Sequence, residues 1–328
     1  MRHLRWIIIL TLVAIAIWRL TPHLGDFSKV LSLKNQIHPF WLIMALFTQI
    51  GQYIGDGWLS QVLLRIIGFR ISFKETIKIA SLNVFAANIL PVGEAGSLAT
   101  TFYFYKKLGV TVQQIIFLSV SWTIITISVL ISVFLISLLF LPELPSLPIT
   151  PAYLLIASII TILIVLDFFI LERKIVLPYI KNILRKYFGK FSFYEELSKF
   201  KNNIPEYRKI LFRDKILLAQ VIIAAQIYYF ANIATLSFSF LAFGHTPNLA
   251  VVTAAYTISL LLGWVTLAPA GIGAAEATLI LIFLHFKIDA PVALASVLVF
   301  RVMNFWLPIP AGALSYFSLK REFAKVND

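Results

Sequence analysis

The sequence predicts an all-α polytopic membrane protein of about six full spans plus two Pro/Gly-tipped broken or re-entrant helical hairpins, arranged as an inverted-topology repeat. Two observations carry that reading. The first is composition: of 328 residues 60% are hydrophobic and 13% charged, mean hydropathy is +0.89, and apolar runs repeatedly reach the length a bilayer crossing needs. The second is a repeated motif, PVGEAGSLAT at Pro91 to Thr100 and PAGIGAAEAT at Pro269 to Thr278. Both copies interrupt apolar stretches. Backbone that leaves the helix at membrane depth is tolerated only where protein buries it or where it lines a wet cavity. The hairpin tips Pro91, Gly93 and Gly96, and Pro269, Gly271 and Gly273, are therefore candidate linings of a transport path.

Taken in order, the apolar run Trp6 to Ile17 follows Met-Arg-His-Leu-Arg and precedes Trp18-Arg19 with no small-residue cleavage site, so it is read as a retained first span from inside to outside. Phe40 to Leu64 returns to the cytoplasm, where Arg65, Arg70, Lys74 and Lys78 gather. Ile77 to Leu90 leads into the first motif and Ser97 to Tyr105 leads back to Lys106-Lys107, which makes a hairpin opening to the cytoplasm. Ile115 to Leu141 goes out and Leu154 to Leu171 comes back in. Ile216 to Phe243 then crosses outward, Val251 to Leu267 descends to the second motif, Glu276 to Phe286 climbs back, and Ala290 to Tyr316 ends inside at Lys320-Arg321. Charge parity leaves open whether each hairpin is re-entrant or two full spans.

The offset that carries Pro91 onto Pro269 also brings span, hairpin and span of one half onto those of the other. The chain reads as a single integral membrane domain, 1–328, with repeat 1 about 1–141, repeat 2 about 151–319, and a basic cytoplasmic loop at 172–215. In transporters built this way substrate sits near the midplane at the repeat interface.

Net charge is +13, and its distribution argues for a membrane surface and against nucleic acid: twelve Lys/Arg against five acids fall between Glu172 and Lys215. Within that loop Ile180, Ile183, Leu184, Tyr187 and Phe188 recur at helical spacing while Lys181, Arg185 and Lys186 lie elsewhere on the wheel. The loop is either an interfacial helix on anionic lipid or a solvated connector that sets topology.

An ionisable side chain in hydrocarbon costs about 2.5–3.5 kcal/mol on insertion scales, so those that persist are paired or face a cavity. Asp56, Glu94, Glu276 and Arg301 qualify. Glu276 lies roughly 16 Å below the Lys287 boundary and Arg301 roughly 18 Å below Asp289, at similar depth on consecutive segments, so an ion pair is available to them. That pair is either structural glue or substrate-facing, with Asn304 one turn along. Glu94 occupies the first hairpin tip, and Asn83 and Asn88 line its arm. Gln49, Gln52 and Asp56 form a polar stripe on the second span, either a cavity wall or helix–helix hydrogen bonding. The repeat equivalent of Arg301 is Thr123, so the cation exists in one half only, and a single guanidinium suits an anionic head group.

Catalytic machinery is not evident. With no Cys, disulfides, thiolate nucleophiles and zinc–thiolate sites are excluded, and His3, His23, His38, His245 and His285 show no metal-ligand spacing. No cofactor motif and no nucleotide-phosphate loop is present, so no catalytic residue and no metal ligand is assigned.

The residues PAGIGAAEATLILIF, followed after a short turn by ALASVLVFRVMNFWLPIPAG, resemble the C-terminal half of the transmembrane domain of the lysylphosphatidylglycerol synthase family, whose shorter members are called flippase-like; NILPVGEAGSLATTFYFYKKLGV resembles its N-terminal motif. The resemblance covers nearly the whole chain. It implies an integral domain in the cytoplasmic membrane of a prokaryote, both termini cytoplasmic, that translocates a lipid between leaflets, with Gly271, Gly273, Glu276 and Arg301 at matching motif positions. At Glu94 and Gly96 the family pattern is loose. The soluble aminoacyltransferase domain of the full-length synthases has no counterpart in these 328 residues, so lysyl transfer is not implied.

The expectation is thus a flippase-like translocase for an anionic phospholipid, an aminoacylated lipid or a polyprenyl-linked lipid, with membrane lipids as partners and room for a separate lipid-modifying enzyme. The alternatives are a membrane-embedded lipid- or sugar-modifying transferase using Glu94 or Glu276, and a non-transporting scaffold.

Overall fold

The computed structural model describes residues 33–90, 94–141, 209, 213–266 and 271–326, and these are helical throughout, joined by short turns. After a 3-10 turn at Leu33–Gln36 come α1 (Pro39–Ile66), α2 (Phe73–Ile89), α3 (Glu94–Lys107) and α4 (Val112–Leu138). The second series is α5 (Lys215–Leu241), α6 (Leu249–Thr266), α7 (Ala274–His285), α8 (Ala290–Arg301), a π-helical turn at Val302–Trp306, and α9 (Pro308–Val326). The first span and the basic loop with Lys181, Arg185 and Lys186 lie outside the described residues, as do Pro91, Gly93 and Pro269.

Local chemistry sets the boundaries. Pro39 opens α1, where its missing N–H costs nothing. Capping boxes start α2, between Ser72 and Glu75, and α4, between Thr111 and Gln114; Asp214 accepts from the N–H groups of Ile216 and Leu217 at the head of α5. Four helix ends close with one hydrogen-bond pattern, in which a residue of positive φ donates three back and the next residue five back. These are Gly68 and Phe69 after α1, Gly109 and Val110 after α3, Gly244 and His245 after α5, and Lys287 and Ile288 after α7. The turn at Gly109 (φ 87°) and the turn at Lys287 (φ 60°) are related by the same offset as Pro91 and Pro269.

By length and composition Val112–Leu138, Lys215–Leu241 and the run Ala290–Glu322 are each apolar enough to cross a membrane. Helix α1 is equally long at 28 residues but buries Gln49, Gln52, Asp56 and Gln61, which lowers its hydropathy. The outward faces of α1 and α5 carry Phe40, Phe47, Ile54, Ile223 and Phe230 in exposed positions, as contact with acyl chains requires.

Helices α1 and α5 pack closely along their length and run antiparallel. Thr48 Oγ1 meets Thr235 Oγ1 at 2.9 Å, while farther along α1 a Cβ on Gly55 would stand 2.6 Å from Tyr228 N. No residue larger than glycine fits at position 55 without moving α5, the close approach expected where helices associate through packing in lipid. Helix α2 lies on α9, also antiparallel, from the Lys78–Glu322 ion pair to the Asn88–Phe305 hydrogen bond. The remaining contacts include α6 on α4, α2 on α3 and α6 on α7. Leu59, Leu63, Ile79, Leu130, Tyr229, Phe240 and Phe283 form one core cluster drawn from both series.

The final span departs from expectation. Rather than one regular helix, it contains a turn in which Leu307 N–H donates five residues back to Val302 O at 2.9 Å. Pro308 and Pro310 have no N–H to give, so carbonyls of the preceding turn lose their regular helical donors and the register loosens there.

Candidate functional site

The loosened turn is where predicted polar residues meet. Helix α7 starts at the second hairpin tip, where Gly271 (φ 65°) and Gly273 (φ 84°) take left-handed conformations. A Cβ on Gly271 would stand 2.8 Å from Gly263 Cα, so the tip folds directly against the backbone of α6. Gly273 N–H donates to Glu276 Oε2 at 2.7 Å, the returning half of a capping box. That bond fixes the carboxylate, whose other oxygen, Oε1, lies 2.7 Å from Arg301 Nε.

The ion pair joins α7 to the last residue of α8. Arg301 is nearly buried, its side chain 11% exposed, whereas that of Glu276 is 27% exposed. The pair is therefore dry on one side and reachable on the other. Ile272 and Gly273 beside it are exposed, and nothing lies within 4 Å of where a Cβ on Gly273 would be.

Asn304 is turned toward α5: its Nδ2 donates to Asn232 Oδ1 at 3.3 Å, and Asn232 Nδ2 donates to Tyr228 O at 2.9 Å. Asn88 reaches the same turn from the first hairpin, donating to Phe305 O at 3.1 Å. Within the stretch 301–305, the last span is thus tied to α2, α5 and α7.

Asp56 stands apart from the ion pair. It is buried, and Trp122 Nε1–H of α4 donates to its Oδ1 at 2.7 Å. The Trp122 ring is edge-on to Tyr228, with centroids 6.0 Å apart. A run of contacts, Asp56, Trp122, Tyr228, Asn232 and Asn304, therefore crosses from the first series to the turn after Arg301. Gln49 Nε2 donates to Gln52 Oε1 within α1, and both are buried. Gly96 packs the first turn of α3 against Ala86 and Leu90, and Glu94 begins that helix.

Trp122 and Asn232 were not among the sequence candidates. A signal for Trp122 exists, because the offset between the two motifs carries Trp122-Thr123 onto Phe300-Arg301. Asn232 escapes a search for ionisable groups, since an amide in a membrane helix carries no charge.

Comparison with known proteins points to a membrane-protein family. A UPF0104 membrane protein of Methanocaldococcus jannaschii is 24% identical over 313 residues, which cover 91% of this chain and 90% of that protein. The family model described as the lysylphosphatidylglycerol synthase TM region matches residues 6–312, which include every predicted site residue. A helical chain with apolar spans, matched over almost its full length, belongs to the lysylphosphatidylglycerol synthase transmembrane-region family.

Proposed function

We propose that this chain is a flippase-like translocase for an anionic phospholipid, an aminoacylated lipid or a polyprenyl-linked lipid, and that Arg301 receives the phosphate of its head group. The observation that carries the reading is the Arg301–Glu276 pair, held at the tip of a broken hairpin with its carboxylate side 27% exposed. Because the carboxylate side stays open, an anionic group can approach the pair without first opening a fully buried one. A phosphate can replace or join Glu276 on the guanidinium.

The organisation of the helices supports a repeat-based mechanism. The offset that carries Pro91 onto Pro269 exchanges α1 with α5, α2 with α6, α3 with α7, and α4 with the α8–α9 span. Under that exchange the α2–α9 contact becomes α6–α4, and the α2–α3 hairpin becomes α6–α7. The antiparallel course of α1 and α5 is what an inverted-topology repeat requires of equivalent elements, and access would then alternate about the α1–α5 contact. In this reading the cytoplasmic membrane of a prokaryote houses the chain, with both termini cytoplasmic. Lipid is its partner, and the basic loop 172–215 rests on the anionic inner leaflet.

The test is reconstitution of the full chain in liposomes with fluorescent phosphatidylglycerol and a membrane-impermeant quencher. Wild-type protein should move label between leaflets. Arg301→Gln should slow transfer by about 10- to 100-fold, the equivalent of losing one hydrogen bond to a charged group. Equal transfer by the two proteins, or none above protein-free liposomes, would sink the reading.

A further inference from the structure

The proline-opened turn has an occupant from the other half of the molecule. Asn88 sits at the end of α2, is 9% exposed, and spends its amide N–H on the carbonyl of Phe305 rather than on a residue of its own hairpin. Phe305 lies inside the π-helical turn that follows Arg301. Pro308 and Pro310 withhold N–H donors from the carbonyls four residues before them, Asn304 and Trp306, and the side-chain amide of Asn88 bonds the Phe305 carbonyl that lies between those two.

The register of this turn decides where Arg301 points. A π turn holds one residue more than an α turn, so its loss would rotate everything on one side against the other by about 100° and shift it by about 1.5 Å. Glu276 cannot follow such a rotation, because its carboxylate is fixed by Gly273 N–H. Whatever holds the turn therefore holds the pair together.

We propose that Asn88 is a positioning residue: by occupying the Phe305 carbonyl it keeps the last span in the register that sets Arg301 against Glu276, and so connects the first hairpin to the anion site of the second half. This deepens the translocase reading, since Arg301 matters there as the head-group contact. It assigns Asn88 a part in the site without contact with the lipid. A movement of the first hairpin that withdraws Asn88 would re-aim the guanidinium, which gives the two halves a mechanical connection through one hydrogen bond.

The test reads the ion pair itself and needs no transport assay, so it can fail independently of the translocase reading. Melting temperatures are measured on full-length detergent-extracted protein for Glu276→Gln, Arg301→Gln and the double change, first with Asn88 intact and then with Asn88→Ala added to each. The cycle isolates the coupling between positions 276 and 301. With Asn88 present the double change should melt higher than the sum of the single losses predicts; with Asn88→Ala that excess should fall by more than half. An excess that survives Asn88→Ala unchanged would overturn the proposal, because the pair would then form without the amide. If Asn88→Ala does not give folded protein, Asn88→Leu, which fills the same space without a donor, is measured against the same two outcomes. Asn88→Gln keeps an N–H donor and should restore at least part of the excess, whereas a merely space-filling role would favour Leu over Gln.

Discussion

The two series of helices share their order and their turns but not their chemistry. In the second, Glu276 and Arg301 face each other across α7 and α8 at 2.7 Å. In the first, the position equivalent to Arg301 is Thr123, whose hydroxyl donates to Ser119 O in its own helix at 2.9 Å, and the position equivalent to Glu276 is Leu98, exposed. Asp56, an acid buried in the first series, takes a neutral donor, Trp122, the immediate neighbour of Thr123. Two series of matching order thus differ in their charges, and in the translocase proposed above the anion site would fall in the second series alone.

The sharpest way to break the comparison is to ask whether the halves are inverted. The chain has no cysteine, so Lys106→Cys, at the end of α3, and His245→Cys, beyond α5, can be labelled singly in intact cells or right-side-out vesicles. Lys106→Cys should react only from the cytoplasmic face and His245→Cys only from the outer face. Reaction of both from one face would end the inverted-repeat reading, because the two hairpins would open to the same side.

Next in size is the close packing at the contact between the halves. Gly55→Leu would drive a side chain into the α5 backbone at Tyr228, where even a Cβ stands 2.6 Å from the nitrogen. We expect loss of folded protein, or a destabilisation at or beyond the usual overpacking cost of about 1–3 kcal/mol, read as a lowered melting temperature. Normal stability would mean that α1 and α5 have room to separate.

Trp122→Phe tests the first-series site, since it keeps an aromatic ring against Tyr228 and removes the donor to Asp56. Leaving a buried acceptor without its donor costs about 1–3 kcal/mol, so melting should fall by a few degrees, and Asp56→Leu on top should recover part of the loss. Failure of the second change to recover anything would show that Asp56 has work beyond accepting from Trp122. The smallest effect belongs to Lys78→Met at the α2–α9 end, where the partner Glu322 side chain is 48% exposed. An ion pair this open contributes about 0.2–1 kcal/mol, and high salt should erase the difference from wild type.

Much of this was readable from residues alone, and the parts that were not have physical reasons. The depths of Glu276 and Arg301 followed from a fixed rise per residue, so their meeting could be anticipated from counting along two consecutive segments. The break before α7 was legible because Gly acts on backbone geometry locally, through the positive φ seen at Gly271 and Gly273. The register change of the last span sits beside Pro308 and Pro310, yet a π turn trades one hydrogen-bond register for another and leaves the apolar pattern almost unchanged. Asn88 and Asn232 could be placed on helices but not given partners, because an amide's partner depends on which helix faces it. The pairing of Asp56 with Trp122 crosses from α1 to α4 and follows only from packing.

The measurement that bears most directly on the central claim compares stability with transport in the double variant Glu276→Gln/Arg301→Gln. Breaking a buried pair from one side costs about 3–5 kcal/mol, and less where one partner is part-exposed as Glu276 is, so each single change should lower the melting temperature of the extracted protein. The double variant removes both charges and should regain much of that loss. Its transfer of phosphatidylglycerol between leaflets should remain as slow as that of Arg301→Gln alone, because the guanidinium that receives the phosphate is gone. A double variant that regains both stability and transfer would contradict the account, leaving Arg301 as a joint between helices and the head group to be sought elsewhere, beginning with Glu94 and the stripe of Gln49, Gln52 and Asp56.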